Sequence, residues 1–164
     1  MAVRAVRETP ADFDPRRWAR RRWYRYVVAN GEAREPLSRR TAWFVEGHLD
    51  RQAMQQGALA LAGKRDFSPF SGLLEPGRTS VRTVFKAGWR CEGSTLLFDI
   101  EADAFLPQMV RRIVGELVRV GRGAVTVEEI VRLLEQAEPG SMAHLAPAHG
   151  LCLQRVWYDE GYAE

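Results

Sequence analysis

Residues 95–120 read TLLFDIEADAFLPQMVRRIVGELVRV, and the pattern of this stretch changes part-way along it. Thr95 to about Ala102 reads as a strand, with Asp99 and Glu101 alternating along one edge. Asp103 is a good N-cap, and at about 100° per residue Phe105, Leu106, Met109, Val110, Ile113, Leu117 and Val120 share one apolar arc, which predicts a helix to about Val120. Arg112 and Arg119 point away from that arc. Arg111 falls beside Val114 and Val118 at its border, an odd position for a guanidinium unless it reaches into a cleft.

Working outward, a second strand over about Ser80–Cys91 joins the first through the tight connection Glu92-Gly93-Ser94. Downstream, Gly121-Arg122-Gly123 ends the helix, and Thr126-Val127-Glu128-Glu129 is a capping box opening another to about Ala137, which Pro139-Gly140 stops. Leu151 to Tyr158 alternates well enough for a closing strand. Upstream, residues 1–15 read as a lead-in, about Arg22 to Ala29 as a strand ending in the turn Asn30-Gly31, and residues 31–42 as a polar, basic loop. Trp43-Phe44-Val45 suits a short strand. Asp50 caps a helix to about Ala62, with Gly57 in mid-helix suggesting close packing on a sheet. Residues 64–79 have the Gly, Pro and Ser of an irregular loop, but Phe67 and Phe70 tie it to the core or to a ligand. The order strand, helix, strand, strand, helix, helix, strand predicts an α+β fold of the ferredoxin-like split βαβ kind: a mostly antiparallel sheet with helices on one face and the other face free to bind something.

With 164 residues, 46% of them hydrophobic and five of them Trp, the chain suits a single globular domain over 1–164 rather than a disordered or fibrous one. No stretch approaches the ~18 uninterrupted apolar residues of a membrane span, and Met1-Ala2-Val3-Arg4 opens no signal-peptide core, so a cytoplasmic protein is expected. Cys91 and Cys152 have no Cys or His at metal-ligand spacing, and the expectation is two reduced, partly buried thiols and no metal site.

The net charge of +3 is unevenly spread: the first 40 residues hold 11 arginines against 5 acids. In the cluster from Arg16 to Tyr26, guanidinium groups interleave with Trp18, Trp23, Tyr24 and Tyr26, the combination that phosphates and unstacked bases want. In an extended strand Arg20, Arg22, Tyr24 and Tyr26 share one face, and Arg21, Trp23, Arg25 and Val27 the other. Sheet-displayed rings with arginines suit single-stranded RNA better than duplex DNA, so Arg16, Arg20, Arg21, Arg22 and Arg25 are the candidate RNA-binding residues. For catalysis the residues offer less. His48, His144 and His149 are scattered, Asp99 and Glu101 read as exposed strand positions, and the Gly-Arg strings at 77–78 and 121–122 lack the remainder of a phosphate loop.

The segments Tyr24-Arg25-Tyr26-Val27-Val28, Asp66-Phe67-Ser68-Pro69-Phe70, Val81-Arg82-Thr83-Val84, Phe98 to Leu106, Met109-Val110-Arg111-Arg112-Ile113-Val114-Gly115, Val120-Gly121-Arg122-Gly123 and Ala146-Pro147-Ala148-His149-Gly150-Leu151 resemble, in order and spacing, the C-terminal half of the tRNA pseudouridine synthase A family. The resemblance runs from about Phe13 to Tyr158. It implies a cofactor-free isomerase that converts uridines of the tRNA anticodon arm to pseudouridine, acts as a homodimer, and uses an Asp nucleophile on a flipped-out base. By match to the motifs, Tyr24 is the active-site tyrosine that stacks on the base and assists proton removal, and Arg111 pairs with the nucleophilic Asp. The family carries that Asp in a Gly-Arg-Thr-Asp-Ala-Gly motif of an N-terminal domain. The present sequence has no such string, Gly77-Arg78-Thr79-Ser80 being the nearest, so the implied role is the C-terminal half of a cleft, a truncated or separately encoded piece that is inactive alone, with tRNA and, in the second case, a separately encoded N-terminal half as partners. Pro107-Gln108 stands where the family usually has His-His, Arg112 replaces an Asn and Cys152 a Tyr. The alternative is a non-catalytic RNA-binding module that kept the fold.

Overall fold

The structure, a computed structural model, describes residues 6, 8–34, 36–72 and 77–159. The opening of the lead-in and positions 73–76 of the aromatic loop lie outside the described residues. Six strands of the described residues form one sheet: β1 (Arg21–Ala29), β2 (Trp43–Phe44), β3 (Gly63–Asp66), β4 (Val81–Glu92), β5 (Thr95–Ala102) and β6 (Leu151–Trp157). The helices are α1 (Arg51–Leu59), α2 (Met109–Gly121) and α3 (Val127–Gln136). β1 lies between β5 and β6, antiparallel to both; β5 is antiparallel to β4; β2 adds a two-residue parallel patch to the far end of β1. With β6, β1, β5 and β4 side by side, the predicted α+β, split βαβ arrangement is what the chain forms.

Strand alternation builds the core. Tyr26 and Val28 of β1 and Leu96, Phe98, Ile100 and Ala102 of β5 are buried on one face, against which α2 lays Met109, Val110, Ile113, Val114, Leu117 and Val118. Asp50 caps α1 by accepting from the Ala53 N–H at 2.9 Å, and Thr126 and Glu129 form the reciprocal capping box of α3. The β4–β5 hairpin turns at Gly93, whose φ of +61° favours glycine. Phe67 and Phe70 are fully buried, so the aromatic loop is tied to the core.

Five expectations need correction. Gly57 packs not on the sheet but on α2: a Cβ there would lie 2.7 Å from Leu117 Cδ2. Residues 64–66, read as the start of a loop, belong to β3, because the edge of β4 is open to a partner strand however polar its sequence. Asp103 does not cap α2, which starts six residues later at Met109, since its carboxylate already accepts from the Thr83 N–H at 3.0 Å and the Ala104 N–H at 2.6 Å. Cys91, next to a hairpin turn, and Cys152, on an outer strand of the sheet, are exposed rather than partly buried. Asp99 and Glu101 are not solvated either: their side chains are 17% and 15% exposed, and each is taken by arginine.

Candidate active site

Tyr24 sits mid-way along β1, paired with Ile100 on one side and Leu153 on the other, and the pleat that buries Tyr26 places it on the helix-bearing face. Its ring meets Phe105 edge-on, centroids 5.1 Å apart at 87°. Phe105 lies in the link from β5 to α2, whose entry Asp103 fixes through its bonds to Thr83 and Ala104.

Arg111 occupies the first turn of α2. Its Nε donates to the Ala146 carbonyl at 2.7 Å, and the Ala146 N–H returns a bond to the Arg111 carbonyl at 3.2 Å. The two terminal guanidinium nitrogens take no hydrogen-bond partner among the described residues, and a cavity of about 200 Å³ is lined by Tyr24, Phe105, Leu106, Arg111 and Leu151. A planar, permanently charged fork with its outer nitrogens open, at a helix N-terminus, favours a carboxylate and keeps it ionised. The neighbouring Tyr26 is locked: its O–H donates to the Pro147 carbonyl at 2.6 Å, and burial pushes the phenol's pKa up, against the pull of the Arg111 charge. Tyr26 is therefore a support, and Tyr24 is the ring that lines the cavity.

A larger hollow of about 570 Å³ adjoins on the other side of Tyr24 and Phe105, lined among the described residues by Arg16, Arg17, Arg22, Arg78 and Arg82 and by the carboxylate of Asp14. Arg22 donates to the carbonyls of Asp103 (2.6 Å), Ala19 (3.2 Å) and Arg16, and Arg82 to those of Thr79 (2.8 Å) and Val81 (2.7 Å). Carbonyls hold these side chains without cancelling their charge. Burial pulls the Arg82 pKa below its ordinary value, Asp103 opposes this, and the charge of Arg78 adds a smaller push in the same direction as burial. Backbone N–H groups of Arg17 and Arg16 hold the Asp14 carboxyl below its usual range, and its Oδ2 lies 3.5 Å from Arg17 Nε.

The structure thus brings Tyr24 and Arg111 to one cavity and adds Arg16 and Arg22 beside it. It places Arg21 and Arg25 elsewhere, on the opposite sheet face, where Arg21 pairs with Glu101 and Arg25 Nε lies 2.8 Å from Asp99; Arg20 pairs with Asp159 at 2.7 Å. Sequence reading missed Phe105 as a site residue, because it also fits the apolar arc, and Arg78 and Arg82, because a turn and a polar strand start gave no sign of what they face. The only usable signal was the strand position of Arg82 in Val81-Arg82-Thr83. The histidines remain apart: His48 is exposed, His144 bonds Glu116 at 3.0 Å, and His149 bonds the Ala42 carbonyl at 3.0 Å.

A family model described as tRNA pseudouridine synthase matches residues 58–159. Among curated relatives, tRNA pseudouridine synthase A of Citrifermentans bemidjiense is 38% identical over 98% of this chain and 64% of its own length. The enzyme of the same name from Syntrophotalea carbinolica is 40% identical over 96% of this chain and 63% of its own. That of Myxococcus xanthus is 38% identical over 98% and 61%. The chain therefore spans a little under two thirds of the length of these relatives.

Proposed function

Since the chain belongs to the tRNA pseudouridine synthase family, we propose that it forms one wall of a pseudouridine-forming active site on tRNA and needs a nucleophilic carboxylate from outside these 164 residues. The observation that carries this reading is the meeting of Tyr24 and Arg111 at one cavity, with the outer guanidinium nitrogens of Arg111 open. An aspartate entering there would be gripped bidentately and held ionised as a nucleophile must be. A uridine flipped out of its stack lies against the Tyr24 ring, with the Phe105 edge limiting how far it slides. The base detaches from the sugar, turns, and rejoins through carbon, and the Tyr24 hydroxyl assists removal of the proton from that carbon. The five arginines of the adjoining hollow hold the flanking phosphates. In this reading the protein works in the cytoplasm, pairs with a second copy, and takes its Gly-Arg-Thr-Asp-type motif from an N-terminal half.

A tritium-release assay on tRNA transcripts tests it. The chain alone gives no release, and adding a polypeptide that carries the Gly-Arg-Thr-Asp motif restores it. Turnover by the chain alone would sink the claim that the nucleophile comes from elsewhere. The same arginine-lined hollow suits a non-catalytic RNA-binding module; tRNA binding without restored release would favour that second reading.

A further inference from the structure

A second cavity, of about 310 Å³, lies beyond the site already described and is assigned no role by it; Arg34, Arg39, Trp43, Phe44, Pro147 and His149 line it. From this cavity we infer a second RNA-binding point, one that grips the phosphate and stacks the base of a single unpaired nucleotide. The inference rests on the reading of this chain as a tRNA-binding wall and extends it to a new surface.

Four observations carry it. The Arg34 guanidinium lies over the Phe44 ring, 5.4 Å from its centroid, a stacked cation and ring of the kind that receives a base on one side and a phosphate at its edge. Arg34 and Arg39 are exposed and pair with no carboxylate among the described residues, so their charge is free to meet an anion, unlike that of Arg21 or Arg25. His149 Nε2 lies 3.0 Å from the Ala42 carbonyl; a carbonyl only accepts, so this nitrogen carries the proton and Nδ1 is left for a ligand. The volume falls at the lower end of the ~300–1,000 Å³ of small-ligand sites, room for one nucleotide rather than a helix.

The cavity is also tied to the active site through one short segment. Ala146 accepts from Arg111, Pro147 accepts from Tyr26 and lines this cavity, and Leu151 lines the Tyr24 cavity. Trp43 meets the Tyr26 ring at a right angle, centroids 6.5 Å apart. A strand of RNA whose flipped base sits at Tyr24 therefore finds a second hold across residues 146–151.

The test is binding of an unmodified tRNA transcript by the full chain as salt is raised. The double substitution Arg34→Ala, Arg39→Ala is expected to lower affinity about tenfold at low salt and to flatten the log–log salt slope by roughly 0.7–0.9, the share of the one phosphate no longer neutralised. The charge-matched double Arg51→Ala, Arg122→Ala, at exposed positions away from both cavities, is expected to keep the slope. Equal slopes for the first double and the unsubstituted chain would overturn this inference while leaving the active-site reading intact. So would an equal fall in both doubles, because it would mean net charge alone. No binding by the unsubstituted chain would overturn the functional reading as well.

Discussion

Both faces of β1 carry arginines and aromatic rings, yet they treat them differently. On the outer face Arg21 meets Glu101, while Arg25 and Arg90 share Asp99 with the indole N–H of Trp23, which donates to Asp99 Oδ1 at 2.7 Å. On the helix-bearing side Arg22, Arg82 and Arg111 donate to main-chain carbonyls. A carboxylate cancels the charge that it orients; a carbonyl orients the side chain and leaves the charge standing. Where an anion binds is therefore decided by what the arginines are bonded to, not by how many there are.

The largest expected effect lies at Arg111. With a nucleophile-bearing partner present, Arg111→Ala should lower pseudouridine formation on tRNA transcripts about 100–1,000-fold, the size of losing one charged stabilising group, while Arg25→Ala moves it less than about threefold. Equal losses would break the distinction between the two faces. Next, in transcript binding, Arg22→Ala with Arg82→Ala should cost about tenfold at low salt and flatten the salt slope, whereas Arg20→Ala with Arg21→Ala should leave the slope unchanged.

A smaller effect is expected beneath the site. Tyr26→Phe removes a 2.6 Å hydrogen bond, and denaturant unfolding should show a loss of about 1 kcal/mol. The Tyr26 phenol is raised in the folded protein, so its contribution is fully present below the unfolded value near 10 and is lost as pH rises beyond it. Alkaline loss of stability should accordingly be shallower in Tyr26→Phe. The smallest effect is expected on the outer face: Asp99→Asn uncovers Arg25 and Arg90, and non-specific RNA binding at low salt should rise about two- to threefold in a filter-binding assay. No rise would mean that Asp99 does not mask that face.

Much of this was legible in the sequence, for physical reasons that can be named. Period-2 alternation around Phe98 and Ile100 and the apolar arc from Met109 to Val120 are direct images of burial; the strand is where the pattern put it, and the helix ends as expected but starts at Met109 rather than after Asp103. Arg111 stood out because a guanidinium at the border of a buried stripe needs somewhere to go. What was hidden depends on neighbours distant in the chain. Asp103 looked like a cap because nothing local shows that Thr83, on the neighbouring strand, occupies its carboxylate. The β3 strand, Gly63–Asp66, has no apolar alternation and exists because β4 offers it an edge. Strand alternation put Arg21 and Arg25 on one face, but no single-residue signal reveals that Asp99 lies opposite Arg25 or that Glu101, opposite Trp23, is within reach of Arg21.

The segment that binds Arg111 and Tyr26 does so with the carbonyls of Ala146 and Pro147, and α2 admits it closely because Gly115 has no side chain where the His144 carbonyl lies. Such a tether specifies a path and a length rather than side chains. Residues along it are interchangeable so long as the backbone keeps its course, but one residue more or fewer between position 144, seated on Gly115, and Gly150, packed under the Tyr26 ring, would slide every carbonyl past its donor. This wall of the Tyr24 cavity is in this sense gauged by spacing, and the spacing is kept by two places where the chain has no room for a methyl group.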